Sequence, residues 1–202
     1  AHSRATLASS SSFHRWSRLM FTTLYLPNFY LQAAARHQPE LRSQPLALLD
    51  DRETKPVIIQ LNDAAEKAGV RKGMTPTQGL ARCLSLTVKI RGRTQEQLLD
   101  EIVLHYAFTL APYVEATSPG VCTIQFTDNR DLVRKVARTI EQLNDCEITA
   151  KAGIADKPDT SFMAAYLAQP LLKVNDAKDF LAPLPIETLA IADKIGINRK
   201  AG

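Results

Sequence analysis

"MFTTLYLPNFYLQAAARHQPELRSQPLALLDD" (residues 20–51) decides how the rest of the chain is read. Phe21–Leu26 is an apolar run of strand length, Pro27 and Asn28 make a turn, a helix follows, and Pro45–Asp50 is a second buried strand. That layout suits an enzyme with a metal at the end of its first strand. Yet Tyr25, Leu26, Pro27 and Asn28 hold no carboxylate. The question is whether the charges of an active site were removed or were never there.

The chain has 202 residues, 45% hydrophobic and 23% charged, which is ordinary for a globular protein with a real core. No apolar run approaches the length of a membrane span. Cys83, Cys122 and Cys146 are odd in number, far apart and without CxxC spacing. They read as small buried hydrophobes in a reducing cytosol, and a cytoplasmic location is expected. Residues 1–19 are Ser-rich and acid-free, with Arg4, Arg15 and Arg18. They read as an upstream extension with Met20 as the natural start; composition also allows a transit peptide. Without those three arginines, 22 of the 25 basic residues face 21 acidic ones, so overall charge gives no argument for nucleic acid.

Local charge does. From Ala64 to Arg93, seven cations (Lys67, Arg71, Lys72, Arg82, Lys89, Arg91 and Arg93) face one acid, Glu66, a net of +6. "GVRKGM" places two of them beside glycines, which lets backbone approach phosphates. A solvated helix face explains the same run. Lys67, Arg71, Lys72, Arg82, Arg91 and Arg93 are the candidate DNA-binding residues.

Strands are expected at Leu46–Leu49, Val57–Leu61 and Leu86–Ile90, with "DDRETKP" as a hairpin turn. Asn62 caps a short helix that ends in Gly69, and Thr75–Pro76 starts another. The longest helix covers Thr94–Leu110. A hairpin turns at Ser118–Pro119–Gly120, a helix spans Arg130–Leu143, and a strand covers Ile148–Gly153. Leu98, Ile102, Val133, Val136 and Ile140 are expected to be buried. Strand–helix–strand–strand–helix–strand is the split βαβ layout of a ferredoxin-like sheet with two helices on one face. The class is α+β: a ferredoxin-like domain formed by 20–50 and 94–175, with an inserted lobe at 51–93. From 176 to 202 begins a helical region whose "KIGI" is half of a helix–hairpin–helix signal.

Four pieces, in order, resemble the palm and fingers of Y-family (UmuC/DinB-type) translesion DNA polymerases. They are "FYLQAAARHQPELRSQPLALLD", "LNDAAEKAGVRKGMTPTQGLARCLSLTV", "YVEATSPGV" and "AKAGIADKPDTSFMAAYLAQP". On that resemblance the ferredoxin-like domain is the palm, the lobe is the fingers and residues 176–202 begin the thumb. Active members hold two Mg²⁺ with an Asp on the first strand and an Asp-Glu pair on the hairpin. Those positions fall here on Tyr25, Ser118 and Pro119. The triphosphate-binding Tyr and Arg fall on Asp63 and Glu66, the steric-gate aromatic on Tyr30 and the palm lysine on Ala165. Hydroxyls and proline are poor Mg²⁺ ligands beside carboxylates, and two-metal chemistry needs those charges. Glu115 and Asp128 flank the hairpin, but period-two alternation places neither with Tyr25. His37 and His105 have no metal-spaced partner.

The combination resembles ImuB-type members: not an enzyme, with no metal or other cofactor. Its implied role is an adaptor in DNA repair and the SOS response, which binds damaged template DNA and recruits a C-family DNA polymerase and the sliding clamp. Two alternatives stay open. One is an active Y-family polymerase with altered metal ligands; the other is a ferredoxin-like interaction module without DNA binding.

Overall fold

The computed structural model describes residues 19–50 and 54–190. The half helix–hairpin–helix signal, the extension before Leu19 and the middle of the expected Asp50–Pro56 turn lie outside those residues.

One sheet carries the larger domain. Its strands run in the order β5 (Tyr113–Ser118), β6 (Val121–Phe126), β1 (Met20–Tyr25), β7 (Lys151–Ala155), β8 (Leu171–Lys173). β1 is antiparallel to both neighbours, and β7 is parallel to β8. The first four strands are the expected split βαβ sheet, with β1 at its centre. β8 extends it by a short strand that sequence reading missed, since three residues after Pro170 carry too little pattern to register. β7 also begins three residues later than expected, although Ile148 and Ala150 are buried.

The two sheet faces are built differently. Helices α4 (Arg93–Leu110) and α5 (Leu132–Asp145) cover the face of Leu24, Cys122, Ile124 and Ile154. Helix α6 (Pro158–Leu167) covers the face of Thr23, where Thr23 and Ser161 hydroxyls bond at 2.7 Å. There Gly153 lets the strand lie directly on the helix: a Cβ would strike the Ser161 carbonyl and the Ala165 amide.

The expected burial on α4 and α5 needs correction at two residues. Leu98 and Val133 are 47% and 41% exposed, whereas Val136 and Ile140 are buried and Ile102 is half-buried. On α4, Leu99, Val103 and Ala107 face the sheet. Leu98/Ile102 and Leu99/Val103 have the same helical spacing, so period alone does not choose between the stripes. The second continues into Ala107, whose small side chain permits close approach to the sheet.

The smaller lobe has its own sheet, β3 (Ile58–Leu61), β2 (Leu46–Leu49), β4 (Thr87–Ile90), with β2 antiparallel to β3 and parallel to β4. The expected boundary at residue 50 therefore falls within this sheet: β2 belongs with the lobe. Helices α2 (Asp63–Lys67) and α3 (Pro76–Arg82) pack on one face through Ala65, Val70, Cys83 and Leu86. The caps are those foreseen. Asn62 accepts from the Ala65 amide, and Thr75 forms a capping box with Gln78 behind Pro76. The other face rests on α1 (Phe29–Ala35) through Leu31, Ala35, Leu46 and Leu48. Helix α1 thus joins the lobe to the end of β1. The tail adds α7 (Ala177–Leu181) and a 3₁₀ turn at Ile186–Ala190.

Candidate nucleic-acid interface

The cleft between lobe and palm opens where β1 ends. Tyr25 pairs with Val121 on one side and Lys151 on the other, and the Leu26 amide donates to the Gly120 carbonyl at 2.8 Å. Gly120 is required there. Its φ is +73°, and a Cβ would lie 2.7 Å from the Cβ of Phe29. This contact holds the β5–β6 turn against the first turn of α1.

That register relocates the hairpin positions. Ser118 was expected close to Tyr25; the structure pairs Tyr25 with Val121 and bonds Leu26 to the Gly120 carbonyl. Ser118 pairs with Val121 from the far side, so β6 stands between it and Tyr25. Pro119 lines the cleft, while the Ser118 hydroxyl is buried without a hydrogen-bond partner. The physical reason is strand order: β6, which begins at Val121, lies next to β1, whereas Ser118 ends β5 on its far side, after a bulge between Ala116 and Ser118. A carboxylate that sequence reading missed approaches the turn from behind: Asp100 of α4 accepts from the Gly120 amide at 3.1 Å. Burial raises its pKa, the hydrogen bond from Gly120 opposes this, and nearby Glu96 adds to the rise. No sequence signal marked it among the charges of an amphipathic helix.

The cleft has a volume of ≈ 460 Å³, and its walls are mostly neutral. Tyr25 is half-buried, with its ring 5.7 Å from that of Tyr166. Burial, then the neighbouring Tyr166, pushes the Tyr25 hydroxyl up to about 12, so it stays protonated at neutral pH. Tyr30 forms another wall, edge-on to Phe29 at 5.3 Å. Arg91 lies over the Tyr30 ring, 3.8 Å from its centre.

Arg91 stands apart from the rest of the expected DNA-binding set. Its guanidinium bonds both carboxylate oxygens of Glu96, at 2.8 and 2.6 Å, and reaches Asp50 at 3.2 Å. With 16% of its side chain exposed, it is committed to joining β4, β2, α4 and α1. Lys67, Arg71, Lys72, Arg82 and Arg93 are exposed. Arg71 also donates to the carbonyls of Glu66 and Val70, which ties it to its own loop. Of this set only Lys72 lines the cleft.

The remaining candidates lie elsewhere. Asp63 and Glu66 sit in the first turn of α2, where the helix dipole favours acids. Neither lines the cleft. Ala165 is fully buried against β7, where no long side chain fits. Glu115 is exposed on the edge strand β5, and Asp128 is bound by Arg130 at 2.8 Å. Among the described residues, no group of three or more His, Cys, Asp or Glu could hold a metal ion. A protonated phenol, a glycine and a valine do not fit a pair of Mg²⁺ ions.

A split βαβ palm with a small second sheet packed beside the end of its central strand is a polymerase palm and fingers. Solved structures bear out the fold. A post-insertion binary complex of Dbh DNA polymerase superposes with a TM-score of 0.74 at 19% identity, over 88% of this chain and 57% of that one. DinB from Sulfolobus solfataricus gives 0.72 at 19% identity, over 88% and 57%. The chain belongs to the impB/mucB/samB family, whose model matches residues 24–166. DNA polymerase IV of Citrobacter koseri is 28% identical over 186 residues, 85% of this chain and 51% of the relative. DNA polymerase IV of Pseudomonas savastanoi pv. phaseolicola is 29% identical over 186 residues, 83% and 52%. The chain spans about half the length of the curated relatives it matches. Among the described residues no helix is long and apolar enough to cross a membrane.

These relatives correct the expectation that the chain is not an enzyme. They are named as DNA polymerases and align with most of it. The expectation rested on Tyr25, Ser118 and Pro119; of these, Tyr25 and Pro119 line the cleft, and β6 stands between Ser118 and Tyr25.

Proposed function

We propose that this chain acts in translesion DNA synthesis as the palm and fingers of a Y-family polymerase protein, and that its own task is to hold primer–template DNA. The observation that carries the reading is the exposed basic set on the lobe, Lys67, Arg71, Lys72 and Arg82, of which Lys72 lines the cleft shaped by β1 and the β5–β6 turn. Family membership and the names of the relatives support it. Cations on short helices and glycine-flanked loops reach phosphate oxygens without reading bases, so the grip is insensitive to sequence. Arg91 takes no part in it and fixes the lobe in place. Besides DNA, the partners we propose are a C-family DNA polymerase and the sliding clamp.

Fluorescence anisotropy with labelled primer–template DNA over a salt series tests the reading. Replacing Arg71, Lys72 and Arg82 together with Ala weakens binding equally across sequences and flattens the slope of log K against log salt by roughly 2–3. Equal affinity and an unchanged slope would instead favour an interaction module that does not bind DNA.

A further inference from the structure

The palm–fingers cleft has the wrong lining for a triphosphate with its metals and a suitable one for something flat and neutral. Lys72 is the one charged side chain among its lining residues. Arg91, close behind Tyr30, is neutralised by Glu96 and Asp50. A group with several negative charges entering this space would lose water and gain a single cation. The cleft instead presents ring surface. Tyr25 and Tyr166 are both half-buried, tilted by 35° at 5.7 Å, and they come from different elements, the end of β1 and the end of α6. A volume of ≈ 460 Å³ lies within the roughly 300–1,000 Å³ of small-molecule sites, ample for one planar heterocycle.

We infer that the Tyr25–Tyr166 pair is a stacking platform for one unpaired DNA base at the primer–template junction. This rests on the DNA-holding reading above and names the part of DNA that the cleft takes. Three features support it. The Tyr25 hydroxyl remains protonated, so it can donate to a base edge without adding charge. The far wall is fixed, because Tyr30 is held under Arg91 and Gln60 accepts from the Leu31 amide at 2.9 Å. Lys72 of the lobe lines the cleft, so a phosphate bound there leaves an adjacent base within reach of the rings. Stacking accepts any base, and it accepts an altered one provided that a flat face remains.

The test compares two primer–templates that differ at the first unpaired template position, a normal nucleotide in one and an abasic tetrahydrofuran residue in the other. The unaltered chain is expected to bind the abasic DNA about 5- to 100-fold more weakly, the range for one stacked base. Tyr166→Leu is expected to lose the same factor on normal DNA and nothing further on abasic DNA, while Tyr166→Phe keeps the preference. Equal binding of both DNAs by the unaltered chain overturns the inference and leaves the DNA-holding reading intact. A preference that survives in folded Tyr166→Leu also overturns it. Failure of the unaltered chain to bind either DNA overturns both readings. The comparison on the unaltered chain needs no variant to fold.

Discussion

Arg91→Met separates a stabilising role of this arginine from a DNA-binding one. In the structure Arg91 makes two hydrogen bonds to Glu96, reaches Asp50 at 3.2 Å and covers Tyr30 at 3.8 Å. The side chains of Arg91, Glu96 and Asp50 are only 16%, 11% and 14% exposed. Methionine keeps the length of the stem and removes every charged contact. Glu96 then loses both bonds to Arg91 in a poorly solvated place. Removing one partner of a buried pair costs about 3–5 kcal/mol. The residual exposure here favours the lower end, about 3 kcal/mol. For a chain of this size each kcal/mol moves the midpoint by about 2–4 °C, so Tm should fall by about 6–12 °C. Lysine keeps the charge but not the fork, so Arg91→Lys should recover only part of the loss. Thermal unfolding followed by far-UV circular dichroism reads both variants. A loss below about 1 kcal/mol, the range of an exposed ion pair, would refute the reasoning. A double-mutant cycle with Glu96→Gln tests the pair itself, since coupled residues depart from additivity by about 0.5–3 kcal/mol.

Two further outcomes follow from the fold. Gly153→Ala sets a methyl group against the backbone of α6 at Ser161 and Ala165, so urea unfolding should show a loss at or beyond the roughly 1–3 kcal/mol of ordinary overpacking; a Tm unchanged from the parent would contradict the strand–helix contact. Asp100 has a raised folded pKa, so its favourable contribution is full below the unfolded carboxylate value and is lost as pH rises through the folded one. Asp100→Asn keeps an acceptor for the Gly120 amide, and it should raise Tm at neutral pH while flattening the fall in Tm between acid and neutral pH; an unchanged fall would count against the burial argument.

The fold was legible where periodicity and turn chemistry agreed. β1 carries an unambiguous apolar run, and Asn62, Thr75 and Pro76 announce their helices by local chemistry that tertiary contacts do not alter. Legibility failed where one pattern served two geometries. On α4 two stripes compete, and on α5 Val133 adjoins the true stripe of Leu132, Val136 and Ile140. The bulge between Ala116 and Ser118 displaces every position counted through it. Arg91 looked like its cationic neighbours because Glu96 lies five residues away on the next element and Asp50 lies forty-one away. Only the meeting of β2, β4 and α4 distinguishes a staple from a phosphate contact.

The cleft shows how shape and chemistry separate in this fold. Its shape depends on backbone features: the positive φ of Gly120, its contact with Phe29, and the bond from Leu26 to the Gly120 carbonyl. The lobe is placed by α1 and by Arg91, neither of which needs a charge at the end of β1. Side chains at Tyr25, Val121 and Tyr166 can therefore be neutral and aromatic while the cleft keeps its form, since no ion pair that joins palm to lobe passes through them. For the same reason a fold comparison alone says little about the ligand: the superposition reports the frame, and the lining decides what enters it. Here the lining offers the Tyr25 and Tyr166 rings and one lysine, chemistry that suits the stacked base proposed above.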